Sequence, residues 1–305
     1  MNFLPMIKKN LDLNFKIAFK HPKQKDVFIF IGGDMPHIVK RMVNVLESSS
    51  KKNNKRKLEY GGKKLNLDML RNVWECDAGK MGNIRTNILT DDHFNKNSYS
   101  RMRVHLAVQV VSNSMVRLID DYADNCGGRD SYKSLKLMVS KIDRLVDIMN
   151  NTDVSNRGER KGCEILDSPD HFHIQELLDI LIFFCKWKDE VGDDIDKYIT
   201  WQSHEDLSWL IFSTIGLAQT YLKTDKSRRL CQRRSGTDDC EHEFAGTKLR
   251  NPKPTQNDMR KHTARRTGTR TSGMFTKLNK ANTSGDQALY TDDLVKPIMK
   301  KQRLK

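Results

Sequence analysis

Long apolar stretches are scarce in this sequence, and their scarcity limits the classes of protein that it can encode. Apolar residues make up 37% of the 305 residues, and the mean hydropathy is -0.68. The longest uninterrupted apolar run, Ile180–Cys185, is far too short to cross a bilayer. Residues 1–6 have neither the charge order nor the length of a secretory signal. We therefore expect no membrane partner and a core that covers only part of the chain.

The cysteines lack the pairing that a zinc finger or a disulfide scaffold needs. None of the six stands in a C-x-x-C pair; they are Cys76, Cys126, Cys163, Cys185, Cys231 and Cys240. A zinc site built from Cys231, Cys240 and His242 would match no common ligand spacing. The pattern favours reduced thiols in a cytosolic or nuclear protein.

Acidic side chains are outnumbered by basic ones. The chain has 54 Lys and Arg against 39 Asp and Glu, a net charge of +15, which suits a polyanionic partner such as DNA. Residues 251–305 alone hold 13 Lys and Arg against 4 Asp and Glu. Because this stretch has no apolar period, it predicts a disordered basic tail. Its end, Lys300–Lys305, also fits a nuclear-import signal, so we expect nuclear localisation.

The N-terminal part predicts one strand followed by one helix. Val27–Ile31 is β-branched and aromatic and ends at two glycines, which is typical of a buried strand. Asp34 then fits a helix cap, and Pro36 fits the first helical turn. Residues 48–64 are rich in Ser, Asn, Lys and Gly and predict a solvated linker.

Helical periodicity dominates the middle of the chain. Apolar residues recur at the helical period over 104–122 and over 135–149, and each range predicts one continuous helix. The turn-forming residues 168–170 predict the start of a third helix. Ser203, with Asp206 three residues later, predicts a capping box that starts a fourth. The chain is therefore expected to be mainly α.

An acidic cluster interrupts the basic C-terminal third. Residues 238–244 hold four carboxylates, and a helix would place Asp238 and Glu241 one turn apart on the same face. Two carboxylates held that close suit a Mg²⁺ or Mn²⁺ ion. Thr237 as an N-cap, with acids in the first turn of a helix, is the other interpretation that this spacing leaves open.

Four short motifs follow one another along the chain. The first is Asp34-Met35-Pro36-His37-Ile38-Val39-Lys40, and the second covers Met102–Ser112. Asp147–Asn150 closes a later helix, and Asp238–Phe244 ends the series. In this order they resemble the D-x-P-H-L-x-K, K-x-V-x-L-A-A-Q-V-x-S, F-D-x-x-N and D-x-x-E-N-x-F motifs of P-element-type DNA transposases, the family that includes the THAP-domain transposases.

The resemblance implies a partial RNase-H-like α/β fragment interrupted by an all-helical insertion domain, with the disordered basic tail behind it. Residues 1–64 would hold the strand, helix and linker of the RNase-H-like part. Residues 65–224 would form the helical insertion that binds GTP in the family. Residues 225–250 would carry the last catalytic helix, and residues 251–305 the tail. The N-terminal half of the family's chain, with its zinc-binding DNA module, would be missing.

The resemblance also assigns site residues. Glu241 would be the last carboxylate of a DDE-type triad and would hold one of two metal ions. Asp147 and Asp238 would contact the guanine of GTP or its Mg²⁺. Val104 would line the same pocket, and Asp121 stands where the family has a pocket asparagine.

Two departures from the family pattern bear on activity. Ile88 stands where the family has a lysine that meets phosphate charge. The family's first two catalytic aspartates lie upstream of Asp34, whereas Asp12 and Asp26 occupy no matching context. We therefore expect a fragment or remnant of a transposase that binds DNA, assembles with itself or with a full-length transposase, and is not active alone. The alternative is a non-enzymatic, domesticated helical protein that binds DNA or another protein.

Overall fold

The computed structural model describes residues 16–24, 27–78, 88–95, 100, 103–126, 128–151, 165–224, 229–236, 255 and 289–290. Seven α-helices lie within these residues: α1 Met35–Ser50, α2 Leu67–Ala78, α3 Val104–Val110, α4 Asn113–Cys126, α5 Arg129–Met149, α6 Phe172–Val191 and α7 Trp201–Thr224. The short strands are β1 Lys16–Lys20, β2 Phe28–Phe30, β3 Glu59–Tyr60, β4 Lys63–Lys64 and β5 Leu289–Tyr290. The expected mainly α fold is confirmed. Across the described ranges, no helix combines the length and the apolar composition that a bilayer crossing requires.

Three strands form a small antiparallel sheet in the order β2-β1-β5. β2 confirms the strand predicted at 27–31, but its predicted burial is wrong. Phe28 and Phe30 pack against the core, whereas Ile29 is 37% exposed, because successive side chains point to opposite faces of a sheet. β5 lies inside the stretch predicted to be disordered. Its two apolar residues pair with the edge of β1 that β2 leaves open.

α1 forms where Pro36 and the apolar period predict it, and it continues to Ser50. One face of the helix is fully buried. The side chains on it with no exposed surface are Ile38, Val39, Met42, Val43 and Leu46. This face anchors the N-terminal part of the chain to the other helices.

The solvated linker predicted over 48–64 is wrong for much of its length. Leu58 and Leu65 are both fully buried, and the β3–β4 hairpin lies between them. Gly61 and Gly62 form its turn with φ of 61 and 67, and two successive residues in the left-handed region are typical of a type I′ hairpin. The glycines therefore mark a tight turn between buried leucines.

The apolar period over 104–122 belongs to two helices instead of one. α3 ends at Val110, and Val111 has φ -106 and ψ 29, outside the helical values. α4 then begins at Asn113, whose backbone N–H donates to the Asp143 carboxylate at 2.8 Å. This bond satisfies one of the donors that a helix start leaves open. A side chain from a different helix thus stabilises the break.

α6 begins later than the turn at 168–170 predicts. Its first residue is Phe172, and the preceding His171 caps it. The Nδ1 atom of His171 accepts a hydrogen bond from the backbone N–H of His173 at 3.2 Å. The Ser-Pro-Asp sequence is therefore a turn ahead of the helix.

α7 begins at Trp201, two residues before the predicted cap at Ser203. The hydroxyl of Thr200 accepts from the backbone N–H of Ser203 at 3.3 Å, so Thr200 is the capping side chain. The predicted capping box is also wrong, because Asp206 pairs with Arg41 of α1. A contact between two helices has replaced the expected local one.

One apolar core joins the helices on both sides of residue 64. α1 packs against α2, α3 and α7, and α4 packs against α5. Trp187 of α6 is fully buried, and its ring N–H donates to the carbonyl oxygen of Glu59 at 2.6 Å, which ties the hairpin to α6. The core is continuous across residue 64, so packing does not mark the domain boundary that was predicted there. That boundary stays a prediction.

Candidate functional site

The loop between β2 and α1 lies directly against α7. The Ser213 hydroxyl donates to the carbonyl oxygen of Ile31. At Gly33, a Cβ atom would overlap the backbone carbonyl oxygen of Asp206, so the loop can approach the helix this closely only with glycine. The next residue, Asp34, is thereby held in a defined position relative to α7.

Asp34 uses its backbone and its side chain for different purposes. Its carbonyl oxygen accepts the first hydrogen bond of α1, from Ile38 N–H at 3.1 Å. Its carboxylate turns to His37 instead, with 2.5 Å between Oδ2 and Nδ1, and makes no cap to the helix backbone. The Asp34 side chain is 15% exposed and the His37 side chain 42%. A carboxylate that orients an accessible imidazole can support metal ligation or proton transfer.

Two further segments meet this loop. The end of α5 contacts residues 231–236, because the carbonyl oxygen of Asn151 accepts from the Cys231 thiol at 3.1 Å and from the Arg233 N–H at 3.4 Å. A Cβ atom at Gly236 would lie 3.9 Å from Asp34 Oδ1. The Asp34 motif, the end of the Asp147–Asn150 motif and the segment that precedes the acidic cluster therefore come together. We call this meeting point the motif junction.

The motif junction encloses polar groups that lack partners. A cavity of about 20 Å³ lies there, between Gly33, Asn150 and Gly236. Gln232 is 1% exposed, and neither polar atom of its amide has a partner among the described residues. The Nδ2 atom of Asn151 is in the same situation. Since buried polar groups are normally hydrogen-bonded, a small polar group bound here would gain hydrogen bonds.

No pattern in the sequence pointed to Gln232. It stands in the basic run between Lys223 and Arg234, where neither helical periodicity nor a turn motif distinguishes it. Its burial follows from the return of residues 231–236 to the end of α5. Just before them, Leu230 forms an isolated bridge with Leu166 of the segment that precedes α6.

Asp121 and Asp147, two residues predicted to contact the nucleotide, are both half-buried but lie at different levels of one helical hairpin. α4 and α5 are antiparallel: Asp120 pairs with Lys136 at 2.6 Å, whereas the start of α4 bonds to Asp143. The eleven-residue step from Lys136 to Asp147 corresponds to about 16 Å of helix at about 1.5 Å per residue. The two carboxylates therefore cannot contact the same group of a nucleotide.

The described residues that were predicted to surround the nucleotide carry no positive charge. Val104 is the first residue of α3 and is half-buried, and Ile88 is 51% exposed. Neither they nor Asp121 and Asp147 supply a cation of the kind that pairs with phosphate. Asp238 and Glu241 lie outside the described residues, so their predicted roles stay predictions.

The predicted metal site also falls largely outside the described residues. Within those residues, no group of three or more His, Cys, Asp or Glu side chains is arranged to hold a metal ion. Asp34 and Asp147 are carboxylates on segments that reach the motif junction, and carboxylate oxygens are the ligands that Mg²⁺ prefers. They could supply part of a donor set that Glu241 would complete.

Comparison with known proteins shows a similarity to one solved transposase. The match is to the "Drosophila P element transposase strand transfer complex", with a TM-score of 0.64 and 20% sequence identity. It covers 84% of this chain and 56% of that chain. The chain has a P-element-transposase-like fold. It spans little more than half of the transposase that it matches. No family model matches the sequence, and no curated protein matches it.

Proposed function

We propose that this chain is a fragment or remnant of a P-element-like DNA transposase, which binds DNA and does not cleave it alone. The observation that carries the proposal is the fold similarity over 84% of the chain. The four motifs that resemble the family's motifs occur in the family's order along the same chain. The net charge of +15 suits a phosphate backbone, whose counterions basic side chains displace on binding.

The motif junction supports an origin in a strand-transfer enzyme. Transposases with two metal ions need several carboxylates around the reacting phosphodiester. In this proposal Glu241 and Asp147 hold Mg²⁺, and Asp34 of the β2–α1 loop is a further carboxylate that could join them. These residues come from distant parts of the sequence, and the segments that carry or precede them meet at one place. Of the triad that the sequence resemblance implies, the matching motifs of these 305 residues supply Glu241, so we expect no cleavage by these residues alone.

DNA binding can be tested by titrating the full chain against a labelled duplex at about 50 and about 200 mM salt. We expect affinity to fall steeply with salt, because each neutralised phosphate releases a counterion. Removal of residues 251–305, with their 13 basic residues, should weaken binding and flatten the salt dependence. Equal affinity with and without these residues would refute the tail's role. Failure of the full chain to bind at low salt would refute the proposed function.

Cleavage can be tested with a supercoiled plasmid in Mg²⁺ or Mn²⁺. We expect no nicking by the unmodified chain, by Glu241→Ala or by Asp34→Asn. The control is Asp92→Asn, which removes an exposed carboxylate from the short helical turn at 91–93. Nicking that Glu241→Ala abolishes and Asp92→Asn preserves would show that this chain has a working metal site.

We infer that the protein acts in the nucleus, where its DNA partner would be. The basic end Lys300–Lys305 supports this inference. A fluorescent fusion should lose nuclear enrichment when this end is replaced by neutral residues. We also propose self-association or association with a full-length transposase. Sedimentation of the chain alone and mixed with such a transposase would test both.

A further inference from the structure

A polar groove lies away from the motif junction, between α1, the loop 51–57 and the start of α7. Its volume is about 490 Å³. Its polar lining includes Arg41, Asn44, Ser48, Asn54, Arg56 and Gln202. It therefore combines two guanidinium groups with neutral hydrogen-bonding side chains, and none of its lining residues carries a carboxylate. Such a lining is complementary to an anion.

Both arginines are held in place by contacts outside the groove. The Nη2 atom of Arg41 pairs with the Asp206 carboxylate. Arg56 donates from Nη1 to the carbonyl oxygens of Ile195, at 3.0 Å, and Tyr198. A guanidinium has five N–H donors, so each arginine keeps further donors beyond these contacts. A cation that is already oriented loses little side-chain freedom when it binds phosphate.

The loop beside the groove adds unpaired positive charge. Residues 51–57 contain five Lys and Arg, two Asn and no acidic residue. Lys52 and Lys55 are exposed, and the structure gives them no ion-pair partner among the described residues. Asp206 and Asp196 neutralise part of the positive charge of Arg41 and Arg56. The lysines of the loop keep the surface around the groove positive in spite of these two pairs.

An exposed tryptophan is flanked in the sequence by two residues of the groove. Trp201 lies in the sequence between Thr200 and Gln202, which both line the groove, and it is 69% exposed. The other three tryptophans are buried or half-buried. Leaving so large an apolar ring in water forgoes the stabilisation that burial would give. Aromatic rings beside basic grooves are the surfaces on which unpaired bases stack.

We propose that this groove binds single-stranded DNA, with its arginines on the phosphodiester backbone and one unpaired base stacked on Trp201. The inference rests on the proposed DNA-binding function and assigns to it a site separate from the motif junction and from residues 251–305. Duplex DNA offers the same phosphates but keeps its bases stacked on one another. Trp201 should therefore contribute to the binding of single strands and not of duplexes.

The stacking can be measured with the full chain by fluorescence anisotropy of a short single-stranded oligothymidine. We expect Trp201→Ala to weaken binding about tenfold, within the range found for one base on one aromatic ring. The matched control is Phe172→Ala, which removes another exposed ring at the start of a helix and should leave affinity unchanged. An abasic strand keeps the phosphates but has no bases to stack. Trp201→Ala should therefore barely change the affinity of the protein for an abasic strand or for a duplex.

The phosphate contact is tested by adding negative charge to the groove without replacing either arginine. Asn44→Asp with Gln202→Glu places two acids in the groove, and Ser131→Asp with Ser140→Glu places two at exposed positions of α5. The groove pair should weaken oligothymidine binding at least about tenfold at low salt and reduce the salt slope by about one per lost phosphate contact. The α5 pair should change both much less.

Photocrosslinking locates the contact independently of the basic tail. A strand that carries bromodeoxyuridine should crosslink to the peptide that contains Trp201, and the groove pair of acids should abolish that crosslink. Crosslinks confined to other peptides would overturn the groove proposal, and so would equal loss of affinity for oligothymidine and abasic strands in Trp201→Ala. Either result leaves the proposed DNA binding intact, whereas a full chain that binds no DNA at low salt overturns both.

Discussion

Replacement of Gly33 by alanine tests whether the β2–α1 loop rests on α7 as closely as the structure shows. The added Cβ would overlap the carbonyl oxygen of Asp206 and lie 3.1 Å from its carbonyl carbon and from Ile38 Cδ1. The carbonyl belongs to the backbone of a helix and cannot rotate away as a flexible side chain could. Overpacking of this kind costs about 1–3 kcal/mol, so we expect Gly33→Ala to destabilise the protein by about 2 kcal/mol.

The neighbouring glycine provides the control. At Gly32 a Cβ would lie 3.5 Å from Ser213 Cβ, an ordinary van der Waals contact. Gly32→Ala should therefore be neutral or stabilise the protein by up to about 1 kcal/mol, because alanine restricts the unfolded chain more than glycine does. Thermal unfolding followed by circular dichroism should place Gly33→Ala about 4–8 °C below the unmodified protein. Equal melting temperatures for the two variants would show that the loop does not rest on α7.

Three further predictions concern single side chains. Burial raises the pKa of the Cys185 thiol to about 12. Iodoacetamide should therefore label exposed Cys126 and spare Cys185 until the protein unfolds. Equal labelling of the two cysteines in the folded protein would contradict this. A hydrogen bond from Lys63 lowers the pKa of Asp130. The pair therefore stabilises the folded protein at pH values above the ordinary carboxyl pKa, and this stabilisation is lost as the pH falls through the lowered pKa of Asp130. NMR titration should show a higher Asp130 pKa in Lys63→Gln; an unchanged value would refute the pairing. Calorimetry should find GTP binding no tighter than high-micromolar, since a charge-assisted phosphate contact is missing at Ile88 and Asp121 adds an acid. Affinity should recover in part in the double variant Ile88→Lys with Asp121→Asn, and low-micromolar binding by the unmodified chain would refute the prediction.

Helical periodicity predicted the buried positions correctly wherever one face of a helix packs on the core. The apolar positions of α5 and α6 predicted from the sequence are buried, for example Ile142, Leu145, Leu177 and Leu181. A side chain that recurs every three or four residues lies on one face, so its burial is decided locally. The same reasoning found α1 but misplaced the starts of α6 and α7 by a few residues.

Charged contacts between distant elements could not be predicted in this way. Asp143 separates α3 from α4 through its bond to Asn113, and Asp206 pairs with Arg41, 165 positions away, instead of capping its own helix. Nothing in the local pattern of either aspartate distinguishes these partners from solvent. The groove between Arg41 and Arg56 was likewise invisible in the sequence, where Lys51–Lys57 is typical of a solvated charged run.

The amino-acid sequence by itself determined the mainly α fold class, the positions of the long helices, the positive charge and the order of the transposase-like motifs. The fold class and the helices depend on residue type and spacing within a few helical turns, and the charge and the motif order can be counted directly along the chain. Only the tertiary structure decided that the Asp34 loop, the end of α5 and residues 231–236 meet, and that Gln232 is buried between them. These arrangements depend on how whole helices pack, because the contacts of one side chain follow from the shape of the shared core and not from its neighbours along the chain.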